Sequence, residues 1–343
     1  MKSLYFSNNL FHKTLLDNIK KSKSLIYLET YILSDGHYVE DILDACILKS
    51  KEGVKVVITV DEFGFNNTKL RDKIKKTNVV LIFRKKFNIS NFLQKKLLLF
   101  NKRNHKKIYI VDSFFYLGSL NLSEKHFDKK LNYKDVMILN KFNYSNALRK
   151  INSSQSSNEI PKIIYQLIEN DNIDILLSKF DHSKHREKLY TFVKNAKKNI
   201  AFCSPYYNLN KKMLKYLVAA KNRGVQIKVY VPCKTDYKSY DSFMRHFFNK
   251  KSTQSILEVN YVNVFLHRKI YCFDDITLIG SQNMNYRSLF YDEEIMLTNN
   301  NNKALNLEME KMMNSLDVVK ENTKPSRIDS LAYYFLKRLR WFF

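Results

Sequence analysis

Along the chain, short runs of apolar and often β-branched residues alternate with longer stretches whose apolar positions recur every three or four residues, and the whole alternation occurs twice. Residues 21–31 read as a helix end entering a buried strand, and residues 195–207 read the same way. Apolar positions at helical spacing over 39–48, and again over 213–220, predict helices. Each leads into a basic turn closed by glycine, Lys51-Glu52-Gly53 and Asn222-Arg223-Gly224, where glycine supplies a left-handed helix stop. The β-branched runs 54–60 and 225–231 follow at once and predict strands. Helix, glycine and strand in that order fit many α/β proteins; their duplication is the informative part. The polar, low-complexity stretch 152–158 reads as a surface linker. The expected organisation is therefore α/β, with a first repeat at 1–155, a second at 171–313 and a C-terminal tail at 314–343.

Composition narrows the setting. At 343 residues and 45% apolar content the chain can bury a core in each repeat. Cys46, Cys203, Cys233 and Cys272 are widely scattered with no C-x-x-C pair, so neither a disulfide framework nor a zinc site is expected, and a reducing cytoplasm fits. A net charge of +26 points to an anionic partner, either nucleic acid or the negative surface of a membrane. A general enrichment in Lys and Asn, seen in the run Asn299–Asn302, accounts for the charge equally well. Asn8, Asn9, His12 and Lys13 interrupt the N-terminal apolar stretch, so no signal peptide is expected. No run reaches the roughly 18 apolar residues needed to span a bilayer, and any membrane contact should be peripheral.

The duplication becomes chemically specific in one motif. The first half contains His105-Lys106-Lys107, then Asp112, then Gly118-Ser119-Leu120-Asn121. The second contains His267-Arg268-Lys269, then Asp274, then Gly280-Ser281-Gln282-Asn283. Both obey H-x-K-x4-D-x5-G-S-x-N, so the same residues recur at identical spacing. If each motif is a strand, a short turn and a second strand, His and Lys share one face. Such a set suits a phosphate: lysine meets the non-bridging oxygens, and the Ser hydroxyl and Asn amide donate further hydrogen bonds as charge develops. Glycine before the serine would let backbone and phosphate approach closely. One His-x-Lys means little; two complete sets point to Ser119, Asn121, Ser281 and Asn283 as substrate-binding candidates. Asp112 and Asp274 belong to the repeated set, but anchoring the turn is the favoured reading for both.

These motifs resemble those of the phospholipase D superfamily. The resemblance implies two α/β/α sandwich repeats related by a pseudo-twofold axis, with one active site between them. It implies His105, Lys107, Asp112, His267, Lys269 and Asp274 as the catalytic set, with no metal and no cofactor. One histidine attacks phosphorus to form a phosphohistidine while the other serves as acid and then base; the family pattern gives the first role to His105 and the second to His267. Downstream carboxylates that orient the histidines correspond to Asp135 and Glu294, with Glu293 an alternative to Glu294.

Within that superfamily the chain is most similar to bacterial cardiolipin synthases lacking transmembrane helices, through Leu28-Glu29-Thr30-Tyr31, Gly53-Val54-Lys55, Val60-Asp61 and the continuation Asn285-x-Arg287-Ser288. It departs in having five rather than six residues between Asp and Gly in both motifs. The resemblance implies phosphatidylglycerol as substrate, transfer of a phosphatidyl group from one molecule to another with release of glycerol, and residence at the cytoplasmic face of the cell membrane. A hydrolytic phospholipase D and a nuclease of the same superfamily are the alternatives. Two motifs in one chain weigh against nucleic acid, and no obligate protein partner is inferred. The tail mixes Leu331, Tyr333, Tyr334, Phe335, Leu336, Trp341, Phe342 and Phe343 with Lys337, Arg338 and Arg340, a composition suited to an anionic membrane interface or to docking on the core. A second amphipathic candidate is 87–100, just before the first motif.

Overall fold

A computed structural model describes residues 3–84, 102–127, 132–170, 175–178, 182–300, 303–319 and 325–338. The amphipathic stretch 87–100 and the tail beyond 338 lie outside them. The first half runs β1 (Ser3–Tyr5), α1 (Asn8–Lys21), β2 (Leu25–Thr30), α2 (His37–Lys51), β3 (Lys55–Asp61), α3 (Thr68–Lys75), β4 (Val80–Arg84), β5 (Ile108–Val111), β6 (Phe114–Gly118), β7 (Tyr133–Lys134), β8 (Met137–Lys141), α4 (Tyr144–Asn152) and α5 (Ile160–Asn170). The second runs β9 (Ile175–Ser178), α6 (His182–Asn195), β10 (Asn199–Cys203), α7 (Lys211–Asn222), β11 (Gln226–Pro232), α8 (Lys238–Phe248), α9 (Lys251–Gln254), β12 (Glu258–Val262), β13 (Phe265–Leu266), β14 (Ile270–Phe273), β15 (Ile276–Gly280), α10 (Tyr286–Phe290), β16 (Glu294–Asn300), α11 (Lys303–Asn314), β17 (Val318–Val319) and α12 (Arg327–Arg338).

Among the described residues the strands form a sheet in the order β1-β8-β6-β5-β2-β3-β4 and a second in the order β9-β16-β15-β14-β10-β11-β12-β17. Strand for strand the orders match, apart from the added β17. The helix-to-strand turns are built as their sequences require: Gly53 and Gly224 end α2 and α7 at φ 86° and 88°, a conformation that costs any residue with a Cβ. The outer face of the first sheet is covered by α1, α2 and α3 through Phe11, Leu15, Ile42 and Leu70. That of the second is covered by α6, α7 and α8 through Leu189, Leu217 and Phe243. Between the sheets lies a shared core in which Ile108, Leu117 and Ile138 meet Ile270, Ile279 and Leu297, along with α4, α5 and α11.

The halves are also joined by backbone. Phe265 and Leu266 of β13 pair in parallel with Tyr133 and Lys134 of β7. At the pseudo-equivalent place Asn104 bridges to Glu293, with His105 N donating to Glu293 O at 2.9 Å and Glu293 N to Arg103 O at 2.8 Å. This corrects one detail of the strand–turn–strand expectation. His105 and Lys107 lie just before β5, because the backbone there is spent on the other half rather than on its own sheet.

Candidate active site

The two motifs meet where these cross-connections are made. His105 Nδ1 lies 3.0 Å from both oxygens of Glu294, at the start of β16 in the opposite half. His267 Nδ1 lies 2.6 Å from Asp135 Oδ1, between β7 and β8 of the first half. Each histidine is thus oriented by the carboxylate of the other repeat, which composition and spacing left undetermined. A carboxylate accepts, so each Nδ1 carries the proton and each Nε2 presents its lone pair. Glu293 faces elsewhere: it accepts from Lys106 Nζ at 2.6 Å and pairs with Arg84 at 3.4 Å. Glu294 is therefore the orienting acid.

Lys107 and Lys269 are buried beside the histidines, each donating to the carbonyl of its own motif histidine at 2.6 Å. Burial pushes the Lys107 ammonium down to about 7. Burial and then the charge of Lys107 push Lys269 well below the usual lysine range. Burial and then the neighbouring lysine likewise hold His105 and His267 well below the ordinary imidazole range. The carboxylates differ. Burial raises Glu294, whereas Asp135 sits well below the usual carboxylate range because hydrogen bonds and charge from two imidazoles outweigh its burial.

Ser119 and Ser281 are tied to those acids. Ser119 Oγ donates to Asp135 Oδ1 at 2.7 Å and accepts from Val136 N at 3.0 Å, while Ser281 Oγ donates to Glu294 and accepts from Ile295 N at 3.0 Å. Asn121 Oδ1 accepts from Ile32 N at 3.3 Å, and Asn283 is buried at the equivalent position. The glycines before the serines serve a neighbouring strand rather than a phosphate: a Cβ on Gly118 would lie 2.1 Å from Val136 O, and one on Gly280 2.0 Å from Ile295 O. The last two members of the repeated set are not brought to the histidines. Asp112 and Asp274 occupy the turns at the far ends of β5 and β14, at φ 47° and 48°, where a short polar side chain tolerates the left-handed region. Asp112 accepts from the backbone of Lys23, Ser24 and Leu25 at 2.9–3.0 Å; Asp274 accepts from Lys197, Lys198 and Asn199 at 2.8–2.9 Å.

The family model described as "Cardiolipin synthase, PLD-like domain" matches residues 15–154 and 189–316. The chain belongs to this family. A cardiolipin synthase of Clostridium perfringens is 28% identical over 337 residues, covering 90% of this chain and 68% of that protein. Cardiolipin synthase 1 of Staphylococcus aureus is 29% identical over 311 residues, covering 84% of this chain and 61% of that one. Among solved structures, a phosphatidylserine synthase of Haemophilus influenzae superposes with a TM-score of 0.74 at 15% identity, over 100% of this chain and 95% of that one. The last comparison supports the fold, as does the matching strand order of the two sheets.

Residues beyond the motifs complete the site of this cardiolipin synthase family member. Tyr31 packs edge-on to His105 with ring centres 5.2 Å apart and lies 5.6 Å from Lys107 Nζ. Arg287 Nε donates to Asp292 Oδ2 at 2.9 Å, and both charges act on His105. Tyr206 and Tyr133 donate their hydroxyls to Asp236. His126, which sequence reading missed, donates from Nδ1 to Asp135 Oδ2 at 2.6 Å. A signal for it existed, since His126 follows Gly118-Ser119 at the offset by which Ser288 follows Gly280-Ser281. His126, Asp135 and His267 offer ligand atoms within 4.8 Å of one another. Their 2.6 Å nitrogen–oxygen separations are those of charge-assisted hydrogen bonds. Ligands bonded at about 2.0 Å around a tetrahedral zinc stand farther apart than that.

Proposed function

We propose that the protein transfers the phosphatidyl group of one phosphatidylglycerol to a glycerol hydroxyl of a second, forming cardiolipin and glycerol. The observation that carries this reading is the crossed pair of histidine–carboxylate contacts, each flanked by a buried lysine, in a chain of the cardiolipin synthase family. His105 Nε2 attacks phosphorus, the bond to the departing glycerol oxygen breaks, and that oxygen takes a proton from His267 Nε2. In the second half-reaction the incoming hydroxyl attacks phosphorus, its proton passes to His267, and the phosphorus–nitrogen bond to His105 breaks. Lys107 and Lys269 balance the charge on the non-bridging oxygens.

The unequal carboxylates support this assignment of roles. Asp135, held ionised, stabilises an imidazolium at His267, which is what a proton donor requires. Burial and then the charge of Lys107 favour a neutral His105, as a nucleophile requires. Negative charge brought by the phosphodiester adds to that of Asp135 and favours protonation of His267 within the complex.

Substrate access is peripheral in this reading, from the cytoplasmic face of the membrane. No helix among the described residues is long and apolar enough to cross a bilayer. Helix α12 is fixed to the protein by Tyr333, stacked on Phe243 with ring centres 5.0 Å apart, and by Asp329 paired with Arg245 at 3.1 Å. Leu331, Tyr334 and Phe335 remain exposed and are assigned to the headgroup interface.

The deciding experiment incubates purified protein with phosphatidylglycerol vesicles and quantifies cardiolipin, phosphatidic acid and glycerol, with single-stranded DNA in parallel. Cardiolipin with stoichiometric glycerol is the expected result. Phosphatidic acid alone would replace transfer by hydrolysis, and DNA cleavage without lipid turnover would replace both. His105→Ala and His267→Ala should each abolish steady-state turnover, and substantial activity in either would refute the shared site.

A further inference from the structure

The two acids that orient the histidines serve different kinds of partner. Glu294 accepts from the imidazole of His105 and from the side chains of Ser281 and Ser288. Asp135 binds two imidazoles, one on each oxygen: Oδ1 takes His267 Nδ1 at 2.6 Å and the Ser119 hydroxyl at 2.7 Å, and Oδ2 takes His126 Nδ1 at 2.6 Å and Asn8 Nδ2 at 3.3 Å. His126 is buried and held from three sides. Its Nε2 lies 3.3 Å from Asn121 Nδ2, its ring centre is 4.8 Å from that of Tyr133 and 5.1 Å from that of His267, and its carbonyl accepts from Asn8 at 2.6 Å. The fold thus fixes one His126 nitrogen toward the acid and the other toward a residue of the repeated motif.

We propose that His126 is a positioning residue that sets the acidity of His267 through the carboxylate they share. A carboxylate that already accepts a strong hydrogen bond on one oxygen is a weaker base on the other, so it stabilises the His267 imidazolium less through Nδ1 and lets the Nε2 proton pass more readily to the leaving oxygen. The other titratable and charged groups facing His267 are Asp135, Lys269 and Tyr133, and the Arg268 side chain donates to the Asp135 carbonyl at 2.9 Å. Among the described neighbours, His126 alone duplicates the imidazole contact of His267 with the acid. The first half therefore sets an imidazole against its acid where the second half sets the hydroxyl of Ser288 against Glu294, and the two ends of the site are built for different steps. The inference rests on the acid role given to His267 above.

The test compares His126→Asn with His126→Gln. Asparagine keeps an amide N–H at the Nδ1 position, within reach of Asp135; glutamine carries its amide to the Nε2 position and loses that contact at similar volume. The readout is the pH profile of kcat for cardiolipin formation on phosphatidylglycerol vesicles, whose alkaline limb reports the loss of the His267 proton. His126→Gln should lower kcat at neutral pH about ten-fold and move the alkaline limb up by about half a pH unit or more, because a more basic Asp135 holds the proton on His267. His126→Asn should keep the limb of the unsubstituted protein. A His126→Gln profile superimposed on that of the unsubstituted protein, or equal shifts in both variants, would overturn the proposal. A substrate-free arm follows the His267 Nδ1 proton by NMR in the full chain, expected to move downfield in His126→Gln and to stay in place in His126→Asn. Should the unsubstituted protein make no cardiolipin, the lipid reading falls, and the relay is judged on the NMR arm, where an unmoved proton in His126→Gln overturns it.

Discussion

Glu294 and His105 lie in opposite repeats and meet at 3.0 Å, so the first imidazole is oriented by a strand of the other half. Replacing the charged carboxylate by an amide of the same shape isolates that contact. Glu294→Gln should lower kcat on the order of 10³-fold with little change in KM, since an amide can hold the wrong imidazole tautomer. Asp135→Asn should do the same through His267. Unchanged kcat in either variant would show that the crossed contacts do not orient the reacting nitrogens.

Lys107 carries a cost that the fold must offset. Burial pushes it down to about 7, whereas the unfolded chain holds its proton to the ordinary value of 10.5. Between those two pH values the unfolded state binds the extra proton, so stability rises with pH across that window and is lowest below it. Lys107→Met should therefore raise Tm by a few degrees near pH 7, flatten the rise toward pH 10 and abolish turnover. In the unsubstituted protein, KM for the anionic lipid should increase as pH rises through about 7, when the ammonium is lost. Thermal melts from pH 6 to 10 and a KM series over the same range check both signs.

The motif aspartates should separate stability from chemistry. Asp112 closes three backbone N–H groups of the α1–β2 turn, and Asp274 closes three of the α6–β10 turn. Alanine at either position leaves those donors without their partner and should cost about 1–3 kcal/mol of stability. Specific activity per folded molecule at low temperature should remain near that of the unsubstituted protein. Loss of kcat by more than ten-fold in fully folded Asp112→Ala would return this residue to the chemistry.

The doubled grammar of the sequence carried the architecture because its signals are local. Gly53 and Gly224 stop helices, the β-branched runs after them become β3 and β11, and the strand order repeats. The pairing inside the site was not local. His105 could have faced Asp135 or Glu294, and only the bridge of Asn104 to Glu293 and the pairing of β7 with β13 settle it. His126 stayed hidden because its counterpart is Ser288, so a search for identical repeated residues passes over it. The role of Gly118 was misread for a related reason: its crowding comes from the Val136 carbonyl just before β8, which strand periodicity does not show. Helix α5 has a clear apolar stripe, but spacing alone does not reveal that Ile164 and Ile168 enter a core shared by both sheets.

Helix α12 provides the last test, because its two faces have different work. Tyr333 and Asp329 tie one side to α8, while Leu331, Tyr334 and Phe335 stand 72%, 59% and 65% exposed at i, i+3 and i+4 on another. Three large apolar side chains kept on one helical face in water are unfavourable unless something covers them, and Lys337 and Arg338 follow directly in a strongly basic chain. Replacing all three with serine should weaken partitioning onto vesicles containing phosphatidylglycerol at least ten-fold, since even partial burial of such side chains contributes about 1–2 kcal/mol each. Turnover of a short-chain, monomerically dispersed phosphatidylglycerol should be unchanged, because the site lies at the β7–β13 junction and not on α12. Sedimentation with vesicles measures the first quantity and product analysis the second. Equal partitioning before and after substitution would assign membrane contact to another surface, and loss of turnover on the dispersed lipid would show that α12 supports the fold around the site.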